Sequence, residues 1–132
     1  MTEADSAPKV LIVEDQAPMR TALRDFLALS FPAWLVLEAA DGATAMKVFA
    51  EHRLPLVLMD VCLPDTNGIE LTRRIKALAP GTAVVVMSIQ NGAHIVEQAL
   101  AAGAIVFISK DRIFHELAPL IARLNNLPGN PQ

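Results

Sequence analysis

The chain has 132 residues, 53% of them hydrophobic and 19% charged, which suits one ordered domain with a sizeable core and excludes disorder for most of its length. A formal net charge of −3 without any basic run argues against nucleic acid binding by this chain, and its apolar runs are too short to cross a membrane. A single cysteine and an acidic N-terminus without signal-peptide character indicate a reducing, cytoplasmic location.

The first half of the chain alternates apolar runs with helical patterns. Residues 1–8 are polar, end in Pro8 and are expected to form a disordered tail. The patterns then predict a strand over 9–13, a helix over 16–30, a strand over 34–39, a helix over 43–51 and a strand over 55–60. Asp41 is placed to cap the second of these helices.

The second half continues the alternation. It predicts a helix over 67–78, a strand over 82–88, a helix from 91 to 102, a strand over 104–108 and a last helix ending near 125. Gly103 suits a helix C-terminal cap. Pro119 falls inside the last helix, so that helix either starts late or kinks. The segment 126–132 is expected to be a linker or tail, which leaves 9–125 as one domain.

Five strands that are apolar throughout indicate a parallel α/β sheet with both faces covered by helices. Right-handed crossovers place the carboxyl ends of all strands at one edge, where such folds bind ligands. The residues with reactive or charged side chains at those ends are Glu14, Asp15, Asp60, Ser88 and Lys110. The sequence therefore predicts a site at this edge.

Three of these residues are acids that need a cation. Carboxylates 4 Å apart repel one another by about 4 kcal/mol per pair at an effective dielectric constant near 20. Hard oxygen ligands, without a histidine or cysteine cluster, favour Mg²⁺ over zinc, and Mn²⁺ would also suit them. Each of Glu14, Asp15 and Asp60 taken alone could equally end a strand or cap a helix.

Asp60 is the predicted nucleophile, because a carboxylate can attack a phosphoryl group to give an aspartyl phosphate. The Lys110 ammonium and the Ser88 hydroxyl could then bind two of the phosphoryl oxygens. Taken singly, Lys110 could be a solvated surface lysine and Ser88 a residue that closes a turn.

These residues in this order resemble the receiver domain of two-component response regulators, over about 9–124. The motifs that carry the resemblance are Val10-Leu11-Ile12-Val13-Glu14-Asp15, Glu38-Ala39-Ala40-Asp41-Gly42, Asp60-Val61-Cys62-Leu63-Pro64 with Gly68, Val84-Val85-Val86-Met87-Ser88, and Ala101-Ala102-Gly103-Ala104 running on to Ser109-Lys110.

The resemblance implies a flavodoxin-like (βα)5 domain with strand order 2-1-3-4-5. It implies that Asp60 accepts a phosphoryl group from a histidine kinase or a phosphotransfer protein. Mg²⁺ would then be held by Glu14, Asp15, Asp60 and the backbone carbonyl of Cys62. Such a protein phosphorylates and dephosphorylates itself as a switch and is not a turnover enzyme.

The resemblance also implies the moving parts of a switch. Ser88 would swing toward the phosphoryl group and Phe107 would turn inward, although Phe107 could equally be a plain core aromatic. Asp111 stands where many receivers have proline, which leaves the reach of Lys110 open, and Asp111 could instead cap the last helix.

Other functions remain as alternatives. An aspartate-nucleophile phosphatase needs a second aspartate at the position of Cys62, and a nucleotide carrier needs a phosphate-binding loop where Glu14 and Asp15 stand. What the protein would control once phosphorylated also stays open. The chain is either the receiver part of a transcriptional regulator or a stand-alone receiver that acts through protein contacts, and a homodimer is a further candidate.

Overall fold

A parallel five-stranded sheet with helices on both faces forms the described part of the protein, residues 7–125 of a computed structural model. The elements in chain order are β1 Lys9–Val13, α1 Ala17–Ser30, β2 Leu35–Ala39, α2 Gly42–Glu51, β3 Leu56–Asp60, α3 Gly68–Leu78, β4 Ala83–Ser88, α4 Ala93–Ala101, β5 Val106–Ser109, a 3₁₀ turn at Lys110–Arg112 and α5 Ile113–Asn125. Most of the expected N-terminal tail and the whole expected linker at 126–132 lie outside the described residues.

The strands lie in the order β2-β1-β3-β4-β5, as the resemblance implies, and every pairing is parallel, as the apolar strands predict. Pairing of Asp60 with Met87 and of Ser88 with Ser109 sets the ends of β3, β4 and β5 side by side. The register thus brings the polar residues that follow the strands to one edge.

Two hydrophobic cores lie on opposite faces of the sheet, because alternate strand residues point to opposite sides. On the α2–α4 face, Leu11 and Val57 pack with helix residues such as Ile75. On the α1/α5 face, Ile12 packs with helix residues such as Leu117. All of these side chains are 0% exposed, so helices cover both faces of the sheet.

The helix ends follow local signals in the sequence. Asp41 caps α2 by accepting a hydrogen bond from the Thr44 N–H at 2.7 Å, as predicted. Asn67 caps α3 in the same way, with its Oδ1 2.7 Å from the Ile69 N–H. Gly103 follows α4 with a φ of +109°, a conformation that an L side chain rarely adopts. The expected C-terminal cap at Gly103 is therefore confirmed.

The region around β5 and α5 departs from the predicted boundaries. β5 begins at Val106 rather than at 104, because the Ala104 N–H still bonds to the Ala99 carbonyl at the end of α4. A 3₁₀ turn separates β5 from α5. Pro119 is the seventh residue of the continuous helix Ile113–Asn125, so a late start does not place it in the first turn.

Among the described residues, no helix combines the length and the apolar character needed to cross a membrane.

Candidate functional site

The carboxyl edge of the sheet brings together the five residues that the sequence singled out. Glu14 and Asp15 follow β1, Asp60 ends β3, Ser88 ends β4, and Lys110 follows β5. Glu14, Asp60 and Ser88 are buried, whereas Asp15 and Lys110 are partly exposed. The site is thus built on strand ends in the rigid sheet.

Lys110 bridges two of the acids. Its Nζ lies 2.6 Å from Glu14 Oε1 and 3.2 Å from Asp60 Oδ2. Lys110 therefore reaches the site although Asp111 follows it in place of proline. The Asp111 carboxylate accepts a hydrogen bond from the hydroxyl of Ser109, which precedes the 3₁₀ turn, so the alternative that Asp111 caps α5 finds no support in the contacts.

The three acids form a group that could hold a metal ion. Glu14, Asp15 and Asp60 each offer a carboxylate oxygen, and these oxygens lie within 4.8 Å of one another. One ammonium faces this cluster, which leaves it net negative. Glu14 Oε1 is buried and, apart from its ion pair with Lys110, has no regular hydrogen bond among the described residues. Oxygen donors with unmet charge fit a hard divalent cation such as Mg²⁺.

Burial and neighbouring charges shift two pKa values in the site. Burial raises the pKa of Glu14 from 4.5 to about 7; Asp60 adds to the rise, and the Lys110 ammonium and the Gln16 N–H oppose it. Burial alone would lower the pKa of Lys110, but Glu14 and Asp60 outweigh it and raise that pKa above 10.5. Lys110 therefore stays charged, whereas Glu14 carries a proton part of the time at neutral pH.

Backbone N–H groups orient the carboxylates. The Gln16 N–H lies 3.1 Å from Glu14 Oε2, and the Cys62 N–H lies 3.3 Å from Asp60 Oδ1. One oxygen of Asp60 is thus held by its own loop, and the other faces Lys110. The Cys62 side chain is exposed.

A glycine lies directly behind Asp60. A Cβ added to Gly68 would lie 1.9 Å from the Asp60 carbonyl oxygen, which is far inside contact distance. The Gly68 N–H also donates to the Val61 carbonyl at 2.8 Å. Gly68 therefore lets α3 start against the backbone of Asp60.

The two residues expected to switch occupy different surroundings. The Ser88 hydroxyl is buried and accepts a hydrogen bond from the Gln90 N–H at 3.1 Å, so it keeps its own proton to donate. Phe107 is partly buried and packs against the core of the α2–α4 face. It belongs to that core rather than to the group of polar side chains.

Two residues beside the site were missed by the sequence reasoning. The Arg20 guanidinium donates to the Glu14 carbonyl at 2.8 Å and lies 3.3 Å from Glu38 Oε1. The Asp65 carboxylate accepts hydrogen bonds from the Gly42 and Ala43 N–H groups at the start of α2. Glu38 near the end of the neighbouring strand was a weak signal for Arg20. For Asp65 no local signal exists, because its partners lie 22 and 23 residues away in sequence.

Comparison with known proteins agrees with the resemblance noted in the sequence. The family model described as "Response regulator receiver domain" matches residues 10–122. The chain is 35% identical over 104 residues to the chemotaxis protein CheY of Bacillus subtilis, covering 79% of this chain and 86% of that protein. It is 37% identical over 101 residues to the transcriptional activator protein ExaE of Pseudomonas putida, covering 76% of this chain and 47% of that protein.

A solved structure shares the fold. The signal receiver domain of a DNA binding response regulator from Colwellia psychrerythraea superimposes with a TM-score of 0.87 at 23% identity, over 91% of this chain and 99% of that chain. The chain spans only part of several curated relatives: 47% of ExaE, 52% of a putative transcriptional regulator of Pseudomonas aeruginosa and 35% of a protein-glutamate methylesterase/protein-glutamine glutaminase of Thermotoga maritima.

Proposed function

The chain belongs to the family of response regulator receiver domains, and from this premise we propose that Asp60 accepts a phosphoryl group in a Mg²⁺-dependent reaction. One observation carries the proposal. Asp60 is buried at the end of β3, its Oδ2 lies 3.2 Å from Lys110 Nζ, and its carboxylate clusters with those of Glu14 and Asp15.

Asp60 acts as the nucleophile. One of its carboxylate oxygens attacks the phosphorus, and a new phosphorus–oxygen bond forms. The bond between phosphorus and the donor, such as a histidine nitrogen, breaks, and the donor keeps the electron pair. The site holds the carboxylate from both sides, by the Cys62 N–H and by Lys110, so that it meets the phosphorus in one orientation.

Charge is the main obstacle, because the carboxylate and the phosphoryl group are both negative. Glu14, Asp15, Asp60 and the Cys62 carbonyl would hold Mg²⁺, which would neutralise part of the negative charge on the transferring group. The Lys110 ammonium moves from carboxylate oxygens to a phosphoryl oxygen as a mobile point charge. Glu14 would hold the cation in its ionised form, since a carboxylate must lose its proton to act as a metal ligand.

The phosphorylated state differs from the unphosphorylated state by a phosphoryl group, a strong hydrogen-bond acceptor, next to β4. Phosphorylation adds a charge of about −1.5 to −2 and three acceptor oxygens. The Ser88 hydroxyl, which has a proton to donate, turns toward them and draws the β4–α4 loop with it. Phe107 then turns inward. The differential contact of Ser88 biases two packings of this face.

The phosphoryl donor is a sensor histidine kinase or a phosphotransfer protein, and the output is control of transcription through a further domain. The activator ExaE supports this output, because the chain spans 47% of its length. A stand-alone receiver that acts through protein contacts is the second candidate, supported by the 35% identity to the chemotaxis protein CheY. Formation of a homodimer stays a prediction.

Incubation with acetyl phosphate and Mg²⁺ tests the phosphoacceptor. The intact protein should gain the mass of one phosphoryl group, and Asp60→Asn should gain none. Asp25→Asn, an exposed aspartate on α1, is the matched control and should gain the same mass as the wild type. A mass gain that survives Asp60→Asn would refute the proposal. Continuous phosphate release from simple phosphomonoesters would favour the phosphatase alternative instead.

A further inference from the structure

The loop between β3 and α3 is tied to the start of α2 by the Asp65 carboxylate. Asp65 Oδ1 lies 2.7 Å from the Gly42 N–H, and Oδ2 lies 2.9 Å from the Ala43 N–H. These bonds lower the pKa of Asp65, with the Gly42 N–H making the largest contribution. The carboxylate is therefore ionised at neutral pH and binds the positive end of α2.

The contact is close as well as polar. A Cβ on Gly42 would lie 2.5 Å from the Thr66 methyl carbon and 3.1 Å from Asp65 Oδ1. Loop and helix thus approach so closely at Gly42 that a side chain there would displace the Thr66 side chain, and the bonds of Asp65 hold the two segments together.

The same loop carries a backbone group of the proposed metal site. At the start of the loop, the Cys62 N–H donates a hydrogen bond to Asp60 Oδ1. At its end, the Gly68 N–H donates a hydrogen bond to the Val61 carbonyl. The backbones of Cys62 and Asn67 also pair across the loop as an isolated antiparallel β-bridge. Asp65 lies at the exposed tip between these points, so its bonds to α2 hold the part of the loop that the sheet does not.

We propose that Asp65 is a positioning residue of the metal site, which keeps the Cys62 carbonyl in place by tying the loop to α2. The inference rests on the proposed function, since it needs Mg²⁺ at the acidic cluster. Asp65 itself does not touch the cation or the phosphoryl group. The tether makes the N-terminus of α2 part of the support of the site, although α2 supplies none of the proposed ligands.

Two variants separate positioning from simple stabilisation. Asp65→Ala removes both bonds to α2. Asp41→Ala removes a different carboxylate bond to the same helix end, that to the Thr44 N–H at 2.7 Å, and leaves the loop untouched. Both should lower the thermal midpoint, because each deprives α2 of an N-terminal hydrogen-bond acceptor.

Only Asp65→Ala should weaken the metal site. The Mg²⁺ dissociation constant, measured by titration calorimetry on the unphosphorylated chain, should rise about tenfold, as is common when a group that orients a ligand is removed. Amide hydrogen exchange across 61–67, measured without Mg²⁺, should also accelerate. Asp41→Ala should keep the wild-type dissociation constant and the wild-type exchange in the loop.

Asp65→Asn keeps one acceptor oxygen and should give an intermediate dissociation constant; it also serves if Asp65→Ala does not fold. A wild-type dissociation constant in both Asp65 variants would overturn the tether and leave the proposed function standing. An equal rise of the Mg²⁺ dissociation constant in Asp41→Ala would show that Asp65 has a purely structural role. If the wild type itself bound no Mg²⁺, the proposed function would fail first, and the inference with it.

Discussion

Glu14 is an acid whose burial opposes its own charge. Its pKa in the folded protein is about 7, against 4.5 as the ordinary value, so the folded state binds more protons than the unfolded state between these pH values. The free energy of unfolding contributed by Glu14 is therefore fully present below pH 4.5 and falls as the pH rises through 7. Without a cation, the ionised form of Glu14 weakens the fold.

Substitution of Glu14 by glutamine should remove this pH dependence. We expect the wild type, without Mg²⁺, to lose more free energy of unfolding between pH 5 and pH 8 than Glu14→Gln does, because only the wild type must ionise a buried acid. Urea unfolding of both proteins at the two pH values measures the difference. If the difference in free energy of unfolding between the two proteins were the same at pH 5 and pH 8, this would contradict the raised pKa of Glu14.

Gly68 is expected to tolerate no side chain. Gly68→Ala would force its Cβ against the Asp60 carbonyl oxygen, so the backbone of Asp60 must move. Overpacking of this kind costs about 1–3 kcal/mol, and we expect slower phosphorylation by acetyl phosphate as well. Gly81→Ala is the control, since a Cβ there meets nothing within 4 Å. Similar losses in both variants would show that glycine itself, rather than this contact, matters.

At the level of elements, the strands were the easiest part to predict. β1 and β3 are apolar runs that end at Glu14 and Asp60, and their predicted boundaries agree with the structure within one residue. Such runs indicate a parallel arrangement of the strands, so the gathering of the acids at one edge could also be predicted. The predicted start of β5 was wrong, because the Ala104 N–H donates a hydrogen bond to the Ala99 carbonyl at the end of α4. The periodicity of the sequence does not reveal this bond.

The supporting contacts of the site could not be predicted in the same way. The reach of Lys110 depends on a 3₁₀ turn that no sequence signal indicated. The bonds of Asp65 and Arg20 depend on which loops become neighbours once the sheet has formed. Local patterns specify individual elements, whereas these contacts arise only from their packing.

Pro119 should cost α5 stability without any packing benefit. It is exposed, and it removes a backbone donor from the interior of a continuous helix. Pro119→Ala should raise the free energy of unfolding by about 2 kcal/mol, which is the helix penalty of roughly 3 less about 1 for greater freedom of the unfolded chain. Urea unfolding measures it. A decrease would mean that the proline ring makes a contact that α5 needs.

For the molecule as a whole, Mg²⁺ should act as a stabilising ligand. A cation that binds only the folded state adds about 2.7 kcal/mol at one hundred times its dissociation constant. The thermal midpoint should therefore rise with Mg²⁺ and return when the metal is chelated. Asp15→Asn should lose most of this rise, because it removes one carboxylate of the cluster. Asp25→Asn should keep it, and a full rise in Asp15→Asn would exclude Asp15 as a ligand.

The sheet is also a partition between the two cores. Leu71 is buried among residues of the α2–α4 face and Leu117 among residues of the α1/α5 face, so no buried side chain is shared between their clusters. We expect the stability losses of Leu71→Ala and Leu117→Ala to add within about 0.5 kcal/mol in the double variant, which urea unfolding would measure. A larger coupling energy would show that the strands transmit strain from one side to the other.

Independent packing of the two cores would have a consequence for the proposed switch. Phe107 packs on the α2–α4 side, and Ser88 is assigned to the same side because it alternates with Val84 and Val86 along β4. The proposed switch would therefore move side chains on that side. The compartment beneath α1 and α5 can keep its packing while the other rearranges. In the proposed switch, one half of the interior would serve as a fixed frame while the other half is altered, and the fold that keeps Asp60 in place would not be loosened.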